Sequence, residues 1–339
     1  MKTPIILGIE SSCDDTSASI IQGRKILSNV VATQKIHQNY GGVVPELASR
    51  AHQQNIVPVV HQAIHQANIT KKEIDAIAFT RGPGLLGSLL VGTSFAKSLS
   101  MSLQVPLIEV NHMQGHIFAH FIEDADSSPI SFPFLCLTVS GGHTQIVKIN
   151  DYFDMEVLGE TLDDAAGEAF DKIGKLLGLG YPAGPVLDQL AQKGDETRFK
   201  FPIPKLEGIK FSFSGIKTSV LYFLQKEIDK NPNFIDENLN DLCASVQKTI
   251  VDALLRKLKE AIKLTRIKNI AIAGGVSANS RLRQEIKKLE ISDSCQTFIP
   301  KFEYTTDNAA MIAVVGSIKF EHQDFSELTA TATSRYKIN

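Results

Sequence analysis

The 339-residue chain has almost no net charge, only −2 at pH 7, so no global field draws it onto a polyanion. Any contact with nucleic acid must then come from a local patch or a partner. Its four cysteines, Cys13, Cys136, Cys243 and Cys295, are scattered with no CxxC pair. That speaks against a thiolate zinc site or a disulfide framework and fits reduced thiols in a cytoplasmic protein. Long apolar runs are missing as well. The least polar stretch, Gly82 to Ala96, holds four glycines, a proline and three hydroxyl residues, short of the roughly 18 apolar residues of a membrane span. No membrane association is expected, and the five-residue run Ile5 to Ile9 is too short for a secretory signal. Low-complexity segments are absent, and 43% apolar with 21% charged residues is ordinary globular usage. The length exceeds what one core sustains, so two lobes around a cleft are expected.

What is present is a repeated design. Ile5 to Ile21 reads as two short strands joined by a polar turn, and Phe134 to Ile149 as strand, turn of small residues, strand. Two such hairpins suggest an internal duplication, each opening its own α/β lobe. Asp75 to Thr80 is a strand running into the glycine turn Arg81 to Gly87, and Asn269 to Asn279 repeats that pattern. The polar segment Glu123 to Pro129 is the linker candidate, which divides the chain into lobes 1–130 and 131–305. A final segment, 306–339, contributes a helix from Asn308 to Phe320 that packs back on the first lobe.

In Asn111-His112-Met-Gln-Gly-His116 two imidazoles four residues apart share a helix face and can bind one cation, or they are simply half-buried helical histidines. His120 lies about 12 Å from His112 along a helix and is assigned to surface or packing. Tyr304-Thr-Thr-Asp-Asn308 offers a third ligand in Thr306 or Asp307, the alternative for Asp307 being a helix cap. Glycine turns after strands, at Gly82/Gly84/Gly87, Gly141/Gly142 and Gly274/Gly275, bare N–H groups for phosphate. The run Asp163 to Lys172 sets Asp164, Glu168, Asp171 and Lys172 at helical spacing. For a general base, Glu10 and Asp14 at the first hairpin turn are the candidates.

These pieces resemble the TsaD/Gcp/YgjD family, universal subunits of tRNA threonylcarbamoyladenosine synthesis. The resemblance rests on Gly8-Ile-Glu-Ser-Ser-Cys-Asp-Asp-Thr16, Tyr40-Gly-Gly-Val-Val-Pro-Glu-Leu-Ala-Ser-Arg50, Gly82-Pro-Gly-Leu85, His112-Met-Gln-Gly-His116, Val139-Ser-Gly-Gly-His143, Ala169-Phe-Asp-Lys172, Tyr181-Pro-Ala-Gly-Pro185, Phe211-Ser-Phe-Ser-Gly-Ile-Lys217, Gly274-Gly-Val-Ser-Ala-Asn279 and Thr306-Asp-Asn-Ala309. It implies an α/β fold of two duplicated actin/Hsp70/sugar-kinase-like (ASKHA) lobes around a central cleft. It also implies one divalent ion, Fe2+ or Zn2+, on His112, His116 and Asp307. Threonylcarbamoyl-AMP is then held by Thr138, Val139, Ser140, Gly141, Gly142, Asp171, Gly184, Asp188 and Asn279. The group passes to N6 of the adenosine 3′ of the anticodon in tRNAs reading ANN codons. The implied partners are tRNA, a TsaB-like dimer mate, the TsaE ATPase and the adenylate synthase TsaC. One departure is visible, because the family usually reads Asp-Glu-Thr where this chain has Asp14-Asp15-Thr16.

Three rivals stand against this reading. A metallopeptidase of the O-sialoglycoprotein endopeptidase type is invited by HxxxH, but the HExxH enzymes need a glutamate where this chain has Met113. A phosphotransferase would need an acidic base facing a sugar pocket, and a non-catalytic nucleotide-binding scaffold has no use for three converging metal ligands. For tRNA, the window Arg198 to Lys217 carries five basic residues against Glu207, interleaved with Phe199, Phe201, Phe211 and Phe213. Read plainly it is a hairpin with rings in the core and lysines in water. Read functionally, Arg198, Lys200, Lys205 and Lys210 meet phosphates.

Overall fold

The computed structural model describes residues 3–123 and 129–338, so most of the expected linker, Asp124 to Ser128, lies outside the described residues. The chain forms two compact units, residues 1–130 with 300–339, and residues 131–299.

In the first unit β1 (Ile5–Glu10), β2 (Asp15–Gln22) and β3 (Lys25–Thr33) form an antiparallel meander. Helix α1 (Pro45–Gln66) leads to β4 (Ala76–Gly82), and α2 (Leu86–Leu103) to β5 (Leu107–Asn111), which runs straight into α3 (His112–Phe118). The sheet order is β3-β2-β1-β4-β5, with β4 and β5 parallel to β1 and to each other. The second unit repeats this plan. A meander of β6 (Phe134–Val139), β7 (Thr144–Asp151) and β8 (Asp154–Glu160) is followed by α4 (Ala166–Leu176), α5 (Ala183–Ala191), α6 (Ser214–Ile228) and α7 (Phe234–Thr265). Then come β9 (Asn269–Ala273), α8 (Ser280–Ser292) and β10 (Gln296–Phe298), giving the order β8-β7-β6-β9-β10 with the same strand directions. The expected duplication is therefore a repeat of topology.

The chain rejoins the first unit at Pro300 and forms α9 (Ala309–Glu321), in which Ala309 to Ile318 are all buried. Central strand β1 is buried at all six positions, so its two faces are both covered. Leu7 and Ile9 join a core with Ile56, Val59 and Phe79. Ile6, Gly8 and Glu10 take the opposite face by strand alternation. A Cβ on Gly8 would collide with the Ala309 carbonyl and with Ala313. Glycine thus lets the start of α9 rest on β1, one step from Glu10. No helix among the described residues is long and apolar enough to cross a membrane, and all four cysteines are free thiols.

Candidate metal centre and nucleotide-binding turns

Asn111 ends β5 and caps α3, its Oδ1 accepting from the N–H groups of Met113 at 2.9 Å and Gln114 at 3.3 Å. That fixes the first turn of α3, on which His112 and His116 share a face with ring centroids 4.7 Å apart. Asp307 arrives from the other end of the sequence. Asn308, not Asp307, is the residue whose side chain caps α9, accepting from Met311 N–H at 3.2 Å. The expected helix start at Asn308 thus moves to Ala309, and Asn308 takes the capping position. Asp307 Oδ1 lies 3.3 Å from His116 Nε2 and 3.5 Å from His112 Nε2. One donor atom from each of the three residues lies within 4.8 Å of the others, so the group can hold a metal ion.

Two observations fit a cation here. His116 is 1% exposed, yet neither ring nitrogen makes a hydrogen bond, a costly state for a buried polar group unless something else engages it. The donor set, two imidazoles and a carboxylate, suits zinc or iron. His120 falls in the short turn Ala119–Phe121 after α3 and is not a member of the group.

Glu10 is fully buried and its oxygens are shared among three donors. Oε1 accepts from Ser12 N–H at 2.5 Å, and Oε2 accepts from Thr80 Oγ1 at 2.6 Å and lies 3.2 Å from His112 Nδ1. Ser12 Oγ also reaches His112 Nδ1 at 3.2 Å. Burial opposes charge on His112, but Asp307 and Glu10 together carry its pKa up to about 9. Burial likewise opposes charge on Glu10, and His112 outweighs it, leaving that carboxyl below its usual range. Asp14 sits half-buried in the β1–β2 turn. Its neighbour Asp15 is pushed up to about 7 by burial and by the fields of Asp307 and Asp14. Sequence reasoning passed over Ser12, Thr80 and the capping role of Asn111. Only Asn111 carried a signal, an Asn directly before a helix.

In the second unit the two glycine turns follow adjacent parallel strands, Ser140 to His143 after β6 and Gly274/Gly275 after β9. Gly274 has φ +85°, and a Cβ there would strike the Val139 carbonyl, so only glycine brings the turns this close. Gly141 and Gly142 are exposed, while Thr138 and Val139 are buried in β6 and Ser140 is half-buried. Asp171 and Gly184 meet directly, Asp171 Oδ1 accepting from Ala183 N–H at 2.8 Å and Gly184 N–H at 3.3 Å, and burial raises the Asp171 carboxyl. Asp188 accepts from Ser280 N–H (3.1 Å), Ser280 Oγ (2.6 Å), Asn279 Nδ2 (3.4 Å) and Gln247 Nε2. Four donors fill a carboxylate. Asn279 caps α8 through Leu282 N–H at 3.0 Å. Lys172 is paired with Asp164 and Glu168, a solvated cluster.

The basic window does not form the expected hairpin. Residues 201–210 have no helix or strand, since Pro202 and Pro204 cannot donate to a ladder and Gly208 turns at φ +64°. Buried Lys257 of α7 holds this loop through the Leu206 and Gly208 carbonyls at 2.8 and 2.6 Å. Phe201, Phe211 and Phe213 are core, as the plain reading required. Arg198 pairs with Asp241 at 3.4 Å, and Lys200, Lys205 and Lys210 are exposed.

Comparisons with known proteins agree with this architecture. The family described as TsaD, tRNA N6-adenosine threonylcarbamoyltransferase, matches residues 25–314. A relative from Riemerella anatipestifer, named tRNA N6-adenosine threonylcarbamoyltransferase, is 68% identical over 339 residues, 100% of this chain and 99% of its own. Among solved structures, T. kodakarensis HypF superimposes with a TM-score of 0.61 at 16% identity, over 95% of this chain and 48% of HypF. An activator of 2-hydroxyisocaproyl-CoA dehydratase from Clostridium difficile gives 0.51 at 11% identity, over 95% and 98%. These two likenesses concern the fold, a duplicated actin-like α/β architecture.

Proposed function

This chain belongs to the tRNA N6-adenosine threonylcarbamoyltransferase family, and on that premise we propose that it moves the group from threonylcarbamoyl-AMP to N6 of the adenosine just 3′ of the anticodon in tRNAs reading ANN codons. The observation that carries the mechanism is the convergence of His112, His116 and Asp307, 191 residues beyond His116 in sequence, on one point. These three would hold one Zn2+ or Fe2+. When bound, such an ion supplies Lewis acidity and neutralises phosphate charge.

The rest falls to the chain's own side chains. An exocyclic adenine amine is a poor nucleophile, so the donor carbonyl must be activated and held in line. The Gly141/Gly142 and Gly274/Gly275 turns take the adenylate with their N–H groups, together with Thr138, Val139 and Ser140, while Asp171 with Gly184 orients its polar edge. Asp188 acts through Asn279 and Ser280, since its own oxygens are filled. The bond formed joins N6 to the carbamoyl carbon, and the bond broken is that carbon's anhydride link to phosphate, with AMP leaving. The proton lost from N6 goes to Asp14. Glu10 positions His112, because its oxygens already serve three donors.

The peptidase alternative lacks a base, as Met113 is buried where a water-activating glutamate would stand. We place the reaction in the cytoplasm. A near-neutral chain needs help to retain tRNA, and we assign that help to a TsaB-like dimer mate with TsaE, the donor coming from TsaC. Two measurements test the proposal: nucleoside mass spectrometry of tRNA from cells depleted of the protein, and the same assay after complementation with Asp307→Ala. Threonylcarbamoyladenosine should vanish and stay absent with the variant. Its persistence on depletion removes the function, and full restoration by Asp307→Ala removes the metal assignment.

A further inference from the structure

Beyond α9 the chain continues as a strap along the outer edge of the first sheet. Ser326 pairs with Leu107 on edge strand β5, its N–H donating to the Leu107 carbonyl at 2.8 Å and its Oγ accepting from Glu109 N–H at 2.7 Å. Further along, the Thr331 carbonyl accepts from Arg81 Nε and Thr333 N–H donates to the Arg81 carbonyl, both at 3.0 Å. The strap passes so close to β4 that a Cβ on Gly82 would overlap the Thr333 carbonyl. Tyr336 Oη donates to Glu109 Oε1 at 2.9 Å, the oxygen that Arg81 Nη1 holds at 2.6 Å, and the Arg81 guanidinium lies 4.9 Å from the Tyr336 ring centre. At the end, the Tyr336 and Lys337 carbonyls both accept from Asn111 Nδ2 at 3.0 Å.

Asn111 thus works at both ends of one planar amide. Its nitrogen is fixed by the strap, and its oxygen caps the seven-residue helix that carries His112 and His116. A rigid amide cannot turn its oxygen without turning its nitrogen. Covering the β5 edge explains Ser326, but it does not explain why two strap carbonyls converge on the residue that starts α3.

We propose that the C-terminal strap is a positioning element of the metal centre: by locking Asn111 it sets the pitch of α3, so that both imidazoles face Asp307. This rests on the metal reading given above. Coupling of this kind is reciprocal, so ion binding must in turn tighten the strap.

The test uses the full chain. Hydrogen exchange of peptides spanning 326–338 is followed by mass spectrometry with and without Zn2+, alongside calorimetry of Zn2+ binding, in the wild type and in Asn111→Asp. The variant keeps the capping oxygen but replaces the strap's donor with an oxygen that repels its carbonyls. In the wild type, Zn2+ should slow strap exchange about threefold or more. In Asn111→Asp the strap should exchange fast whether or not Zn2+ is present, and affinity should fall about tenfold. The added negative charge alone would strengthen cation binding, so weaker binding cannot come from charge. Zn2+ binding to the wild type with unchanged strap exchange overturns the inference, as does wild-type affinity in Asn111→Asp. Absence of Zn2+ binding to the wild type removes the metal reading itself, a result calorimetry distinguishes from the other two.

Discussion

Glu10 Oε2 lies 3.2 Å from His112 Nδ1, on the opposite side of the ring from the Nε2 that faces Asp307. A carboxylate in this position fixes the ring's orientation and makes the far nitrogen a better ligand. It is also the arrangement least suited to a general base, because no Glu10 oxygen is free of a protein donor.

The two roles separate on one substitution. Glu10→Gln should weaken Co2+ binding, read from its visible absorption bands, by about 10- to 100-fold. A general base would leave metal affinity intact and lower only kcat. Unchanged Co2+ affinity in Glu10→Gln would therefore return Glu10 to the role first expected from sequence.

The contrast shows what the chain's order of residues discloses. Both hairpins were legible because alternating apolar residues flank a polar turn, and the histidine pair because four residues make one helical turn. Asp307 could be suspected but not separated from a cap, since Asn308 is an equally good capping residue and only the fold, which gives Met311 N–H to Asn308 and sets Asp307 beside the two imidazoles, tells them apart. The environment of Glu10 depends on β4 lying beside β1, which brings Thr80 within 2.6 Å across 70 residues of sequence. Asn111's bond to the strap spans 225 residues, beyond any local pattern. The basic window misled because its phenylalanines alternate like a strand, while two prolines and a glycine deny it a ladder.

His52 supplies a pH prediction. It is buried, with Nδ1 2.8 Å from Thr16 Oγ1 and Nε2 3.0 Å from the Cys13 carbonyl, so it ties α1 to the turn bearing Ser12 and Asp14. Burial holds its pKa below the usual histidine value, and His37 adds to this, while the Cys13 carbonyl, Glu10 and Asp14 oppose it. The folded state then disfavours the proton. Stability is complete above the unfolded pKa, about 6.5, and is lost as pH falls through it, by up to about 1.4 kcal/mol per pH unit. Denaturant melts between pH 7.5 and 5.5 should show a shallower decline in His52→Gln than in the wild type. Parallel declines would mean that His52 takes up its proton as readily in the fold as in the unfolded chain.

For the second unit, Asp171→Ala and Asn279→Ala should each weaken binding of a non-hydrolysable adenylate analogue by about 1–3 kcal/mol, the cost of an unpaired polar partner. Asn279→Ala should also lower stability by about 1 kcal/mol through loss of the α8 cap. Calorimetry on both variants checks the first effect and denaturant unfolding the second. Unaltered binding in both would move the adenylate away from these turns.

The remaining prediction concerns how a chain of net charge −2 engages tRNA. Of the four cations in the basic window, Arg198 is already paired with Asp241, whereas Lys200, Lys205 and Lys210 are exposed and no ion pair reaches them among the described residues. The rings beneath are committed to the core, so base stacking contributes nothing and the contact would be phosphate neutralisation alone. Each neutralised phosphate contributes roughly 0.7–0.9 to the slope of log affinity against log salt. In the assembled complex, Lys200→Glu with Lys205→Glu should therefore reduce the steepness of that slope by about 1.5 or more. Because the loop is anchored from below by Lys257 and both lysines point to water, the fold should tolerate the change, and an unaltered melting temperature would confirm that. A salt titration of tRNA binding by the double variant decides the matter, since a slope identical to wild type would clear the loop of any role in holding tRNA.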